Sequence, residues 1–422
     1  MFNQGLSLEQ APPINVPIKF FLSAPIFGVL LGLLFLFTPF VEVSNQYSYA
    51  AIAAVHLFTL GILSMIIFGA MQQMMPVLAG SVIKRPLLFG NVVHTSLVLG
   101  TLGLCSSFFF EIKMLLHLGV LFLSIAFLFF FSITIKLLFK VEFLTSTVKA
   151  MRLFSVSGLL TFFLGLFLGI SHMIGNMGEN YTVFLNSHIL FASFGFAALL
   201  IIGVSFQVIP MFYVAQDFPK VVQNKMPLFI FFLLFLSFFF FFFEINFFIL
   251  KVLFVFIFIT YSYFGLKSLN NRKRPVFDIT LWYWKLSLIM FILSMVLWLF
   301  DIFESSFILA VVFAFGFLYS LLQGMVYKII PFLSWFHLSS KGHFSIPTIR
   351  EFIEEKNIKY HFFFHSASIL FFVLSYFINS LIYLASILFI ISNLMFFTNC
   401  LIGVKKYSKI AKKDPMDMSA FK

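Results

Sequence analysis

The chain has 422 residues, 62% of them hydrophobic and only 10% charged, with a formal net charge of +12 and a mean hydropathy of +1.08. A soluble globule is excluded, because too few charges remain to cover an aqueous surface, and a lipid bilayer is the solvent such a chain requires. The positive excess gives no support to nucleic-acid binding, since no zinc-finger or other nucleic-acid motif accompanies it and anionic headgroups supply the counter-charge.

Charged loops delimit twelve apolar segments, which predict membrane helices over 19–41, 48–79, 87–110, 114–138, 153–175, 182–213, 227–243, 246–266, 281–300, 306–335, 359–378 and 381–403. They make an all-α integral membrane protein with one membrane domain, 19–403. A polar cytoplasmic segment, 1–18, precedes it and a basic cytoplasmic tail, 404–422, follows. Residues 1–18 lack a basic stretch leading into a short apolar run, so no removable signal peptide is expected and the first helix serves as the insertion signal.

Lys and Arg are held back on the cytoplasmic side during insertion. With the N-terminus inside, 24 of the 27 basic residues fall on that side, including Lys84, Arg85, Arg274 and the Lys405 to Lys413 run. The opposite side carries Lys113 and Lys251 beside Glu42, Glu111, Glu179, Glu244, Asp301 and Glu304. Both termini are therefore expected in the cytoplasm and the chain in a bacterial inner membrane. The run Phe238 to Phe243 reads as lipid-facing filler. The only sizeable extramembrane element expected is a short surface helix in the stretch that opens at Ser345.

Gly61, Gly69 and Pro76 recur with the same spacing as Gly195, Gly203 and Pro210, and again as Gly316, Gly324 and Pro331. The copies start 134 and 121 residues apart, about four membrane helices, which predicts three pseudo-symmetric four-helix arcs over approximately 19–138, 153–266 and 281–403. Small residues of this kind let helices approach closely, and proline kinks a helix near its end. Four residues after each second glycine stands Gln73, Gln207 or Lys328. This recurring polar group is a candidate pore lining, with interhelical hydrogen bonding as the competing account.

Ionisable side chains inside spans are costly and therefore functional candidates. His56, His117, His172 and His188 all fall in the outer half of predicted helices, and no Asp or Glu lies deep in any span. At about 1.5 Å per residue, His56 sits roughly 12 Å and His188 roughly 9 Å below the outer boundary, a shared depth suited to a flat buried cofactor. Neutral imidazole is a good ligand to haem iron and to copper. Each ring could instead hydrogen-bond a neighbouring carbonyl or reach toward headgroups, a bland account that carries more weight for His117 and His172, nearer the interface. At about 100° per residue His188 shares the face of Gly195 whereas His56 lies roughly 140° from Gly61, so the pair serves either two pores or opposite sides of one.

His361 and His365 are spaced as a metal pair on one helix face. Their place at the inner edge favours a structural role, with Tyr360 and His361 as part of an interfacial belt. His94 reads as a packed core histidine, Cys105 and Cys400 as small buried hydrophobes, and the Met71, Met74 and Met75 cluster as flexible packing rather than a copper(I) site.

Twelve helices, termini inside, three arcs, the stretch His56-Leu-Phe-Thr-Leu-Gly61 and the region from His188 to Pro210 together resemble the haem-copper oxidase catalytic subunit and the related NnrS-type membrane haem proteins. The resemblance implies that His56 is an axial haem ligand and that His188 stands where that family binds copper. The family also carries a histidine pair at the end of helix seven, two histidines in helix ten and, in many members, a histidine followed four residues later by tyrosine in helix six. This chain has Phe243-Glu-Ile-Asn246 at the first place, no histidine from Phe307 to Pro331, and no such tyrosine. A complete oxygen-reducing centre is therefore not expected. What remains is a haem b protein, with copper as a further candidate, handling nitric oxide or respiratory electrons. His117 and His172 are the candidate second ligands. The expected partners are other respiratory membrane subunits or a periplasmic electron donor. The alternatives are a multi-pass transporter or metal and cofactor assembly factor, and a cofactor-less subunit of a respiratory complex.

Overall fold

The computed structural model describes residues 11–273, 275–302, 306–343 and 346–413. Arg274, Glu304 and Ser345 lie outside them, as do residues 1–10 of the N-terminal segment and 414–422 of the tail. Twelve long helices run through the described residues: α1 (Asn15–Phe37), α2 (Tyr49–Ala79), α3 (Pro86–Phe110), α4 (Lys113–Leu138), α5 (Ser146–Ile174), α6 (Tyr181–Tyr213), α7 (Lys220–Phe242), α8 (Phe248–Asn270), α9 (Thr280–Phe300), α10 (Ser306–Ser340), α11 (Glu355–Leu374) and α12 (Leu381–Ala411). Eleven are long and apolar enough to cross a membrane. The exception is α11, whose apolar run is interrupted by Asn357, Lys359, His361 and His365.

Local chemistry sets the helix ends. The Ser48 side chain accepts from the Ala51 amide at 3.0 Å and starts α2; Thr145 does the same for α5 through the Val148 amide at 3.2 Å, seven residues earlier than hydropathy alone suggests. Gly80, at φ 63°, closes α2 in the left-handed conformation that glycine adopts without strain.

Three helices are set apart by burial. The apolar windows of α2, α6 and α10 are 72%, 83% and 78% buried, against 33% to 56% for the other spans. These three pack on one another through ring contacts: Phe68 on Phe196 between α2 and α6, Phe194 on Phe313 between α6 and α10, and Phe58 on Phe315 between α2 and α10. The remaining nine surround them, each packed on the next in the order α1, α3, α4, α5, α7, α8, α9, α11, α12, and α12 returns to α1. Each inner helix also contains a π-helical segment, Leu57–Ser64, Phe191–Ala198 and Val311–Tyr319, and each of these holds the first glycine of its triplet.

The glycines are explained by close approach. A Cβ on Gly61 or Gly69 would fall 2.5 Å or 2.7 Å from Phe27 or Phe20 of α1. On Gly195 or Gly203 it would fall 2.8 Å or 2.0 Å from Ser157 or Ala150 of α5, and on Gly316 or Gly324 2.9 Å or 2.7 Å from Met290 or Tyr283 of α9. Every inner helix thus lays its glycine pair on the long helix that precedes it in the chain, at separations no side chain allows.

Candidate functional site

His56 is the last residue before the first π-helical segment, and His188 lies three residues before the second. Their rings stand 6.5 Å apart, centroid to centroid, and are inclined by 19°. The two histidines therefore share one space between α2 and α6, which settles a choice that helical phase left open. Counting at 100° per residue fails here because a π-helical segment bonds i to i+5 and so turns more slowly per residue than an α-helix.

The hydrogen bonds fix the state of both rings. His56 Nδ1 donates to the Ile52 carbonyl one turn back at 2.8 Å, and His188 Nδ1 donates across to the Thr161 carbonyl of α5 at 3.0 Å. A carbonyl only accepts, so Nδ1 carries the proton in each, and in the neutral ring Nε2 keeps its lone pair. Room for the His188 ring comes from Gly165, where a Cβ would lie 2.8 Å from His188 Cε1.

Above this pair, His172 of α5 meets the Tyr181 hydroxyl of α6 at 3.1 Å and packs edge-on against Phe108, with Tyr49 beside it. His117 is not drawn in. It is exposed on α4, and its Nδ1 bonds the Lys113 carbonyl of its own helix at 2.8 Å. Of the four candidate histidines the structure brings two within 6.5 Å with nearly parallel ring planes, seats a third nearby and leaves the fourth outside.

The recurring polar positions meet different surroundings. Gln73 is buried with neither amide atom bonded, Gln207 is half-buried, and Lys328 pairs with Asp278 while lying 5.2 Å over the Tyr213 ring. Among the described residues no hydrogen bond joins the three. Sequence reasoning overlooked Asp278, which lies just outside α9 yet is only 8% exposed, its Oδ1 accepting from Thr280 N and Oγ1 at 3.0 and 2.7 Å. The available signal was the pattern Asp278-Ile-Thr280 at a helix start, where an acidic side chain commonly folds back on the backbone.

The interfacial-belt account of His361 is corrected. Tyr360 is half exposed, but His361 and His365 are both completely buried, facing α9, α10 and α12. His94 is half-buried and bonds Ser23 at 2.8 Å, as a core histidine does. Cys105 and Cys400 are free and buried, and Met71 and Met75 sit in the core.

No protein-family model and no curated protein sequence matches the chain. The site must be read from its own chemistry. Among the described residues no group of three or more His, Cys, Asp or Glu side chains is placed to hold a metal ion. A zinc or copper centre needing three or four protein ligands therefore has no donor set here. An iron porphyrin brings its own equatorial nitrogens and asks the protein only for axial ligands, a role that two neutral imidazoles could fill. Two nitrogen–metal bonds of about 2.1 Å on opposite sides of one ion, with about 1.1 Å from each nitrogen to its ring centre, give roughly 6.4 Å between ring centres. The observed 6.5 Å between ring centres matches that distance.

Proposed function

We propose that the chain is a haem-b-binding protein of a bacterial inner membrane, built as three four-helix arcs with both termini in the cytoplasm, and that His56 and His188 are its axial ligands. One observation carries the reading: two imidazoles at ligating separation, each with Nδ1 committed to a backbone carbonyl. Ligating histidines characteristically donate their other nitrogen in this way, which fixes ring orientation and raises basicity. The repeated π-helical segments and glycine contacts support the three arcs, and the basic bias supports the orientation.

In this reading the Ile52 and Thr161 carbonyls hold the Nδ1 protons and Gly165 leaves the His188 ring its place. The bound group would supply one-electron chemistry. With protein ligands on both axial sides, electron transfer is favoured over gas binding, which narrows the nitric-oxide alternative. Copper is not part of this site, because His188 is used by the iron. A respiratory membrane subunit or a periplasmic donor is the class of partner such a role calls for.

The test is a pyridine haemochrome assay with a reduced-minus-oxidised spectrum on the detergent-purified chain. The expected result is near-stoichiometric, six-coordinate low-spin haem b. A colourless preparation that stays colourless after haem supplementation would overturn the proposal and favour a transporter or assembly factor.

A further inference from the structure

The second histidine pair sits in a buried polar seam. His361 Nδ1 is 2.7 Å from the Tyr283 hydroxyl of α9 and 2.9 Å from the Tyr327 hydroxyl of α10, and Tyr327 in turn accepts from Asn399 of α12 at 3.0 Å. His365 Nε2 is 2.9 Å from Ser320 Oγ. With the one hydroxyl proton of Ser320 on the Phe315 carbonyl at 3.0 Å, Nε2 donates toward Ser320 and His365 Nδ1 keeps a lone pair. That lone pair has no partner.

At His361 the converse holds. Tyr283 can spend its hydroxyl proton on the Ile358 carbonyl at 3.4 Å, whereas Tyr327, which already accepts from Asn399, has His361 Nδ1 as the acceptor for its own, and this places the ring proton on Nε2. That nitrogen has no partner either. A completely buried helix face thus presents an unpaired donor and an unpaired acceptor one turn apart, with ring centres separated by 6.2 Å. Gln323 of α10, also completely buried, adds an amide that lies beside the Tyr319 hydroxyl without a well-formed hydrogen bond, and the Tyr319 ring packs 5.6 Å from His365. Gln323 lies one turn from Ser320 on the helix that faces this pair.

We propose that α9, α10, α11 and α12 enclose a binding site for ordered water, in which His361 Nε2–H donates to a water that donates in turn to His365 Nδ1, with Gln323 completing the shell. Buried water is held where two to four polar partners converge, and this seam supplies that number with matched polarity. All the groups are neutral, which suits water and not an ion. Among the described residues no third His, Cys, Asp or Glu side chain joins the two imidazoles as a metal ligand would. The site shares no residue with the His56 and His188 pair, so the inference does not depend on the haem reading. It also accounts for α11, whose low hydropathy is used to line a wet interior seam.

The test is water-edited solid-state nitrogen NMR on the full-length chain, labelled at histidine and reconstituted in lipid bilayers. The His361 and His365 resonances are assigned by their loss in His361→Gln and His365→Gln. Early polarisation transfer from water to His361 Nε2 and His365 Nδ1 is expected, and it should be lost in Gln323→Leu while the His94 signal is unchanged. Dry rings in the parent chain, or unchanged transfer in Gln323→Leu, would overturn the proposal. So would a shift of the two resonances with a one-to-one stoichiometry on titrating zinc or cobalt, since that would make the site a metal site. If Gln323→Leu fails to fold, the parent chain alone decides between wet and dry.

Discussion

The two histidine pairs use the same side chain to opposite ends. His56 and His188 come from different helices, spend Nδ1 on main-chain carbonyls and leave Nε2 uncommitted across a 6.5 Å separation. His361 and His365 come from one helix, spend a nitrogen each on side-chain hydroxyls and stand in a completely buried seam. A carbonyl forces the tautomer and so prepares a ligand, whereas a hydroxyl can give or take a proton and so prepares a hydrogen-bond network. On the proposed function, the partner of the histidine, not its depth, is what would separate a cofactor site from a polar core.

The comparison breaks most visibly at the ligands. His188→Ala is expected to weaken haem retention by at least the 10–100-fold that disturbing even the outer shell of a metal site costs, and the His56→Ala, His188→Ala double variant to abolish the Soret band. His365→Gln should leave haem stoichiometry at the parent value. Haem loss from His365→Gln with retention in His188→Ala would exchange the roles of the two pairs. Next in size is Gly203→Ala, whose new methyl would meet Ala150 at 2.0 Å and force α6 away from α5, the helix whose Thr161 carbonyl orients His188. Overpacking of this kind costs about 1–3 kcal/mol, read as a lowered midpoint in thermal unfolding of the detergent-solubilised chain. Gly165→Ala tests the His188 ring directly: the added Cβ would stand 2.8 Å from Cε1. It should lower haem affinity about tenfold, or about 1.4 kcal/mol, with little change in melting. An unaltered spectrum and affinity would mean that the ring has slack and that its present position is not the ligating one.

Much of this architecture is legible in sequence because hydrophobic span and charge bias act locally. The boundaries of α2, α3, α4, α6 and α9 follow from them to within one residue. The site was only half legible. The type and depth of His56 and His188 are visible, but their meeting depends on two π-helical segments, and no residue pattern in Leu57–Ser64 or Phe191–Ala198 announces a changed pitch beyond the glycine each contains. The misreading of His361 has a different cause. Glu355, Lys356 and Lys359 make the start of α11 look interfacial, yet one face of that helix is claimed by the hydroxyls of Tyr283 and Tyr327, which are distant in sequence.

The smallest expected effect bears on that seam. Tyr283→Phe removes one hydroxyl and nothing else of volume, taking away a 2.7 Å bond to His361 while Tyr327 keeps its own at 2.9 Å. Because His361 Nδ1 retains a donor, no buried atom is newly orphaned, and the cost should be that of one ordinary hydrogen bond, about 1 kcal/mol. Tyr327→Phe is different. It strips the same nitrogen of a donor and also leaves Asn399 without the oxygen to which it donates at 3.0 Å, so it should cost more than Tyr283→Phe, by about the 1–3 kcal/mol of an unsatisfied buried group. Thermal unfolding of the two variants side by side reads the difference. Equal costs would mean that the hydrogen bond Asn399 already gives the Asn357 carbonyl at 3.4 Å is enough to satisfy its amide, and that the seam is a looser network than its distances suggest. A larger cost for Tyr283→Phe would place the bond that holds α11 on α9 rather than on α10.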